Sequence, residues 1–183
     1  MAHGFVVSSL LWISITSPFA MQAQALPVVK LEGHKDVFQH GRVFVAGQPN
    51  LDLLRTLKAQ GVTLVVNLRD EKEMKDHAAT AFQEEALVKE LGMDYLWIPL
   101  GEKASYTPTA LERFGLAEKV HPGKILLHCA SGGRASIFYI AHLARHRGQN
   151  LNEAVAVGKQ MKFVFPLEDL LGSPLAMTMK DGK

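Results

Sequence analysis

From residue 42 onward the apolar positions recur alternately with a period of two and a period near 3.6, which predicts strand and helix in strict alternation. Residues 42–46 (RVFVA) form a short strand. Asn50 then caps a helix over 51–60, with Leu51, Leu53, Leu54 and Leu57 as its apolar positions and Gly61 as its stop. Residues 62–67 (VTLVVN) are an unbroken apolar run, the pattern of a strand buried on both faces. A charged loop over 69–76 leads to a helix around 78–91 that Gly92 ends, and residues 93–98 form the third strand. Thr107 caps and Pro108 opens the next helix, whose apolar positions are Leu111, Phe114, Leu116 and Ala117; the turn His121-Pro122-Gly123 closes it. Residues 124–128 form the fourth strand, residues 134–147 the helix behind it, and Asn150 starts one more helix. Phe163, Phe165, Leu167, Leu170 and Leu171 are expected to pack the final segment onto the sheet.

Strands alternating with helices require right-handed crossovers. They predict an α/β fold: a mainly parallel sheet of four to five strands flanked by helices on both faces. Ligands bind such sheets at the carboxyl ends of the strands. The segments leaving the four strands, 47–49, 68–72, 99–106 and 129–133, therefore share one rim.

Composition narrows the chemistry. Twenty Lys plus Arg against eighteen Asp plus Glu leave a net charge of +2, too balanced to point to nucleic acid or a polybasic membrane surface. The chain has a single cysteine, Cys129, so it forms no internal disulfide and has no paired-cysteine zinc or redox motif. No charged side chain occurs before Lys30, and residues 5–15 (FVVSSLLWISI) are an apolar run followed by Pro18 and the small-x-small site Ala23-Gln24-Ala25. Residues 1–25 therefore read as an export signal cleaved before Leu26. They leave residues 26–183 as a single domain in the periplasm or outside the cell, with no stable membrane insertion after cleavage.

Cys129 follows a buried strand and precedes a helix whose free N–H groups and dipole favour an anion. Arg134 adds a fixed cation, so a thiolate is expected at neutral pH. Ala130, Ser131, Gly132 and Gly133 are small enough for successive backbone N–H groups to turn inward and hold an anion. Arg134 can grip two oxygens of that anion at once. The other polar residues carry less. His142 and His146 are spaced i, i+4 but read as exposed, His34 and His40 give no metal signature, and Arg69, Lys72 and Lys103 read as rim or surface cations. No metal and no cofactor is expected.

The segment His128-Cys129-Ala130-Ser131-Gly132-Gly133-Arg134 resembles the His-Cys-x-x-Gly loop of cysteine-dependent tyrosine and dual-specificity phosphatases. Ala46-Gly47-Gln48-Pro49, Val65-Val66-Asn67-Leu68-Arg69 and Ile98-Pro99 extend the likeness. From Gly41 to about Phe163 the chain resembles the small bacterial tyrosine-phosphatase-like domains also found fused to beta-lactamase-hydrolase-like proteins. The resemblance implies that Cys129 attacks a phosphorylated protein or small molecule to give a phosphocysteine. It also implies that Arg134 and the loop amides stabilise the transition state, and that His128 orients the loop. Where these phosphatases place Ser or Thr directly after the Arg, this chain has Ala135, with Ser136 next as the loop-supporting hydroxyl. A general acid is expected on the rim, at Glu102 or Asp70. Four residues separate Cys129 from Arg134, one fewer than in typical tyrosine phosphatases. Rhodanese-type sulfur transfer through a persulfide on Cys129, which uses a six-residue loop, is therefore an alternative, as is an inactive phospholigand-binding module.

Overall fold

The computed structural model describes residues 26–76, 83–161 and 171–172. The expected export signal, the start of the helix expected around residue 78 and the segment 163–170 lie outside the described residues. The strands are β1 (Val28–Lys30), β2 (Phe38–His40), β3 (Val43–Ala46), β4 (Val62–Asn67), β5 (Asp94–Trp97) and β6 (Lys124–His128). The helices are α1 (Leu51–Ala59), α2 (Glu71–Lys75), α3 (Glu84–Glu90), α4 (Pro108–Val120), α5 (Gly133–His146) and α6 (Leu151–Lys159).

The strands make one sheet in the order β1-β2-β3-β6-β4-β5. Its centre is parallel as expected, β3 and β4 flanking β6 and β5 lying outside β4. Among the described residues the sheet has six strands rather than four to five: β1 and β2 pair antiparallel with each other, and β2 pairs antiparallel with β3. Each of these two strands has three residues, too few for an alternating pattern to stand out, so the hairpin left no signal in the hydrophobic period.

Alternation along the central strands divides the core in two. Val43, Val45, Leu64, Val66, Ile125 and Leu127 face α4, α5 and α6, where they meet Leu111, Phe114, Phe138 and Ile140. Phe44, Val65 and Leu126 face α1 and α3, against Leu54, Leu57 and Val88. The helix starts follow the sequence: Asn50 Oδ1 accepts from Leu53 N, and Thr107 Oγ1 accepts from Ala110 N ahead of Pro108.

One expectation about histidine changes. His142 is fully buried rather than exposed; its Nε2 lies 2.8 Å from Glu118 Oε2, while His146 is exposed as expected. Glu118 also meets Arg147 at 3.3 Å and Arg42 at 3.7 Å, so one buried carboxylate joins β3, α4 and the end of α5. Burial alone would push the Glu118 carboxyl up; His142, Arg147 and Arg42 outweigh it and hold the group below the usual carboxylate range. His40 is buried too, with Nδ1 2.9 Å from Tyr139 Oη.

Two tests of stability follow. Phe138 is fully buried and meets Phe114 edge-on with 5.8 Å between centroids; Phe138→Ala is expected to lower the unfolding free energy by about 3–5 kcal/mol in urea titrations. Because the Glu118 pKa is depressed on folding, its contribution is present above the usual carboxylate range and is lost as pH falls through the folded value. Stability measured as a function of pH should therefore fall on the acid side, and Glu118→Gln should make that acid limb shallower.

Candidate active site

β6 runs straight into the Cys129 loop, and its neighbours hold the loop beyond the end of the strand. Leu68 N donates to His128 O at 2.8 Å, Cys129 N to Ala46 O at 3.4 Å and Gln48 N to Ala130 O at 3.0 Å. The exits of β3 and β4 therefore clamp the chain on both sides. Gly132 stands at φ +89° as the cap of α5, a left-handed conformation that glycine adopts without strain. In that turn Gly132 N donates to Cys129 Sγ at 3.1 Å, and the sulfur lies fully buried at the amino end of α5. Ala130 and Ser131 form the exposed tip of the loop, while Gly132 and Gly133 are buried. Ser136 supports the loop from below: its N–H and its hydroxyl both donate to Gly132 O, at 3.0 and 2.8 Å.

Arg134, in the first turn of α5, reaches back over the rim. Its Nη1 donates to Leu68 O at 3.3 Å and to Leu100 O at 2.5 Å, and its Nη2 pairs with the Glu73 carboxylate. Burial would lower the guanidinium pKa, but Glu73 and Cys129 outweigh burial and hold it above its ordinary value, so Arg134 is a permanent cation. The arrangement can hold a tetrahedral oxyanion against the sulfur, between a helix amino end and a fixed planar fork.

On the opposite face of the sheet, His128 is fully buried and its Nε2 lies 2.7 Å from Glu84 Oε1 on α3. Gln48 Nε2 donates to Glu84 Oε2 at 2.5 Å, and Asn67 Nδ2 reaches Glu84 Oε1 at 3.4 Å and Tyr95 Oη at 2.7 Å. Burial alone would raise the Glu84 carboxyl pKa; His128, Gln48 and Arg69 outweigh it and hold the carboxyl below its ordinary value. Gln48 and Asn67, which carried the resemblance in sequence, thus serve to seat one buried carboxylate under the loop. Glu84 itself carried no signal, because its partners lie 17 to 44 residues away along the chain.

The rim differs from the expected loop. Residues 71–75 form a helix, α2, capped by Asp70: Asp70 Oδ1 accepts from Glu73 N at 2.8 Å and Glu73 Oε2 accepts from Asp70 N at 2.9 Å. Asp70-x-x-Glu73 is a capping box, the one sequence signal that could have found Glu73. Arg69 is buried rather than a surface cation; its guanidinium donates to Glu73 O and its carbonyl accepts from Trp97 Nε1 at 2.7 Å.

Of the two expected acids, only Asp70 joins Arg134. Both line an open groove of about 610 Å³ with Lys72, Glu73, Lys75, Asp76 and Gly101. Asp70 packs so closely on Gly101 that a Cβ there would come within 2.6 Å of Asp70 Oδ2. Glu102 is exposed, caps a short 3-10 turn over Lys103–Ser105 and does not line that groove. Tyr106 was not expected at the site, yet it is buried within the field of its charges. Burial first, then Cys129, Glu73 and Asp70 against the opposing Arg134, hold its hydroxyl above the ordinary phenol value. Among the described residues no three His, Cys, Asp or Glu side chains stand together as a metal site, and no helix is long and apolar enough to cross a membrane.

Comparison with known proteins places this geometry. The model of the family "Beta-lactamase hydrolase-like protein, phosphatase-like domain" matches residues 38–145. Beta-lactamase hydrolase-like proteins of Xylella fastidiosa are 30% identical over 98 residues, which is 54% of this chain, and the one from Agrobacterium fabrum is 29% identical over 99 residues. The match spans only 22% of the length of these relatives. A DUF442 protein from Shewanella putrefaciens CN-32 superposes with a TM-score of 0.57 at 27% identity, covering 76% of this chain and 91% of its own. Tk-PTP in its active form shares the fold, with a TM-score of 0.58 at 23% identity over 72% of this chain and 92% of its own. With a family model matched from β2 into the last turn of α5, this chain belongs to the phosphatase-like domain family of beta-lactamase hydrolase-like proteins.

Proposed function

We propose that the protein is a cysteine-dependent phosphoric monoester hydrolase of the tyrosine and dual-specificity type, acting on a phosphorylated protein or small molecule. The observation that carries this reading is the placement of Cys129 Sγ: it sits 3.1 Å from Gly132 N at the start of α5, on a loop whose Arg134 is held in a fixed orientation. In the first step Sγ, as thiolate, attacks phosphorus. The S–P bond forms, the P–O bond to the leaving group breaks, and the leaving oxygen takes a proton. Water then attacks the phosphocysteine, releasing inorganic phosphate and restoring the thiol. Arg134 and the loop amides are assigned to the equatorial oxygens, where negative charge is held in the transition state.

Asp70 is the carboxyl group we assign to the leaving oxygen, because it shares the groove with Arg134. Its Oδ1 accepts from Glu73 N at 2.8 Å, which fixes the carboxyl group at that end of the groove. Residues 1–25 are proposed to direct export, so the domain acts in the periplasm or outside the cell, and amino-terminal sequencing of the secreted protein should begin at Leu26.

Three experiments test the chemistry. Hydrolysis of p-nitrophenyl phosphate should fall by a factor of about 10³ or more in Cys129→Ser. Intact mass after rapid mixing should show one phosphoryl group on the wild-type chain. A gain of one sulfur atom after incubation with thiosulfate, with no phosphoryl gain, would replace hydrolysis by sulfur transfer, the reading that the short loop favours. Asp70→Asn should slow phenyl phosphate, a poor leaving group, by about 10² and p-nitrophenyl phosphate far less. Glu102→Gln should leave both rates unchanged.

A further inference from the structure

We infer that Glu73 is the positioning residue of this site: it aims the Arg134 guanidinium and locks it in register with Asp70. The inference rests on the phosphatase reading above and assigns a role to a residue outside the Cys129 loop.

A guanidinium has five N–H donors in a planar fork. In Arg134 the two donors on Nη1 go to Leu68 O and Leu100 O, and one on Nη2 goes to Glu73 Oε1. Among the described residues this leaves the Nε–H and the second Nη2–H, on neighbouring nitrogens, for an incoming oxyanion. Leu68 O and Leu100 O hold one nitrogen only. Without a third anchor the fork can pivot about that nitrogen, and the two remaining donors lose their aim. Glu73 is that anchor.

Every polar group of Glu73 is committed. Oε1 accepts from Arg134, Oε2 accepts from Asp70 N at 2.9 Å, its own N–H donates to Asp70 Oδ1 at 2.8 Å, and its carbonyl accepts from the buried Arg69. The capping box is therefore more than a helix start. Through one carboxylate it fixes the distance between the cation that holds the phosphoryl oxygens and the carboxyl assigned to the leaving oxygen. α2, only five residues long, has no buried side chain of its own to hold it in place. The bonds made by Glu73 and Asp70 supply that hold.

A competing role for the same contact is occlusion, in which Glu73 holds the fork against substrate and must be displaced. The two roles predict opposite signs. Four proteins, Glu73→Ala, Glu73→Gln, Arg134→Lys and the Glu73→Ala/Arg134→Lys double variant, separate them by kinetics on p-nitrophenyl phosphate and by solvent exchange of the Arg134 Nε–H in NMR spectra. Positioning predicts that Glu73→Ala lowers kcat by about 10- to 100-fold with KM changed far less, as for any misplaced transition-state group. It also predicts faster Nε–H exchange. Glu73→Gln keeps an acceptor oxygen for only one of Arg134 and Asp70 N, because its amide nitrogen is a donor, so it should recover only part of both. In the Arg134→Lys background the fork is already gone, so Glu73→Ala should add no further loss. A rise in kcat/KM in Glu73→Ala or Glu73→Gln, losses that simply multiply in the double variant, or unchanged Nε–H exchange would each overturn the inference. If the wild type hydrolyses no phosphate ester, the phosphatase reading fails by itself, while the exchange measurement still decides whether Glu73 holds Arg134.

Discussion

Strand β6 is buried on both faces, and the strict alternation of its side chains fixes where the chemistry can go. Ile125 and Leu127 face α5, whereas Leu126 faces α1 and α3. The next two residues keep the phase: His128 joins the α3 side and meets Glu84, while Cys129 joins the α5 side and meets the helix amino end. A one-residue slip of β6 would exchange them, putting the imidazole at the amino end of α5 and the thiol against a carboxylate. The pairings of β6 with both β3 and β4 exclude that slip, so the register of the sheet sets the site before any loop is built.

What the register sets, two carboxylates from different faces then hold. Glu84 lies beneath the loop with His128, Gln48 and Asn67 around it, and Glu73 stands above it against Arg134. Burying a charge costs free energy that only close partners offset. Glu84 has such partners on β4, β6 and the segment after β3, which makes those exits dependent on one another. The three backbone bonds at Ala46, Leu68 and Gln48 complete the clamp. The loop itself can consist of small residues because its conformation is imposed from outside.

The sequence was most legible where a pattern is local. The central strands, α1, α4 and α5, and the loop from Cys129 to Arg134 all follow from hydrophobic period, caps and glycine placement within a few residues. β1 and β2 were not legible, since three residues cannot display a period and their pairing depends on β3. α2 was hidden because it has no buried face; only its capping box marks it. The pairs that shape the site were illegible for a different reason. Glu73 meets Arg134 across 61 positions and Glu84 meets His128 across 44, and His142 is buried only because Glu118, 24 positions away, is there to receive it. Such partners are decided by topology, which composition and spacing do not encode.

The charges around the groove say where affinity for an anion originates. Among the described residues that line it, Arg134, Lys72 and Lys75 are matched by Asp70, Glu73 and Asp76, so the rim provides no net positive field. The chain as a whole carries only +2. Long-range steering of the kind that a basic cleft provides is therefore weak here. On the proposed function, attraction has to come from short-range groups, the amino end of α5 and the two uncommitted donors of Arg134, which salt screens little because they are partly or fully buried. On the proposed function, a site built this way selects for the phosphoryl group itself, with little regard to the net charge of what carries it.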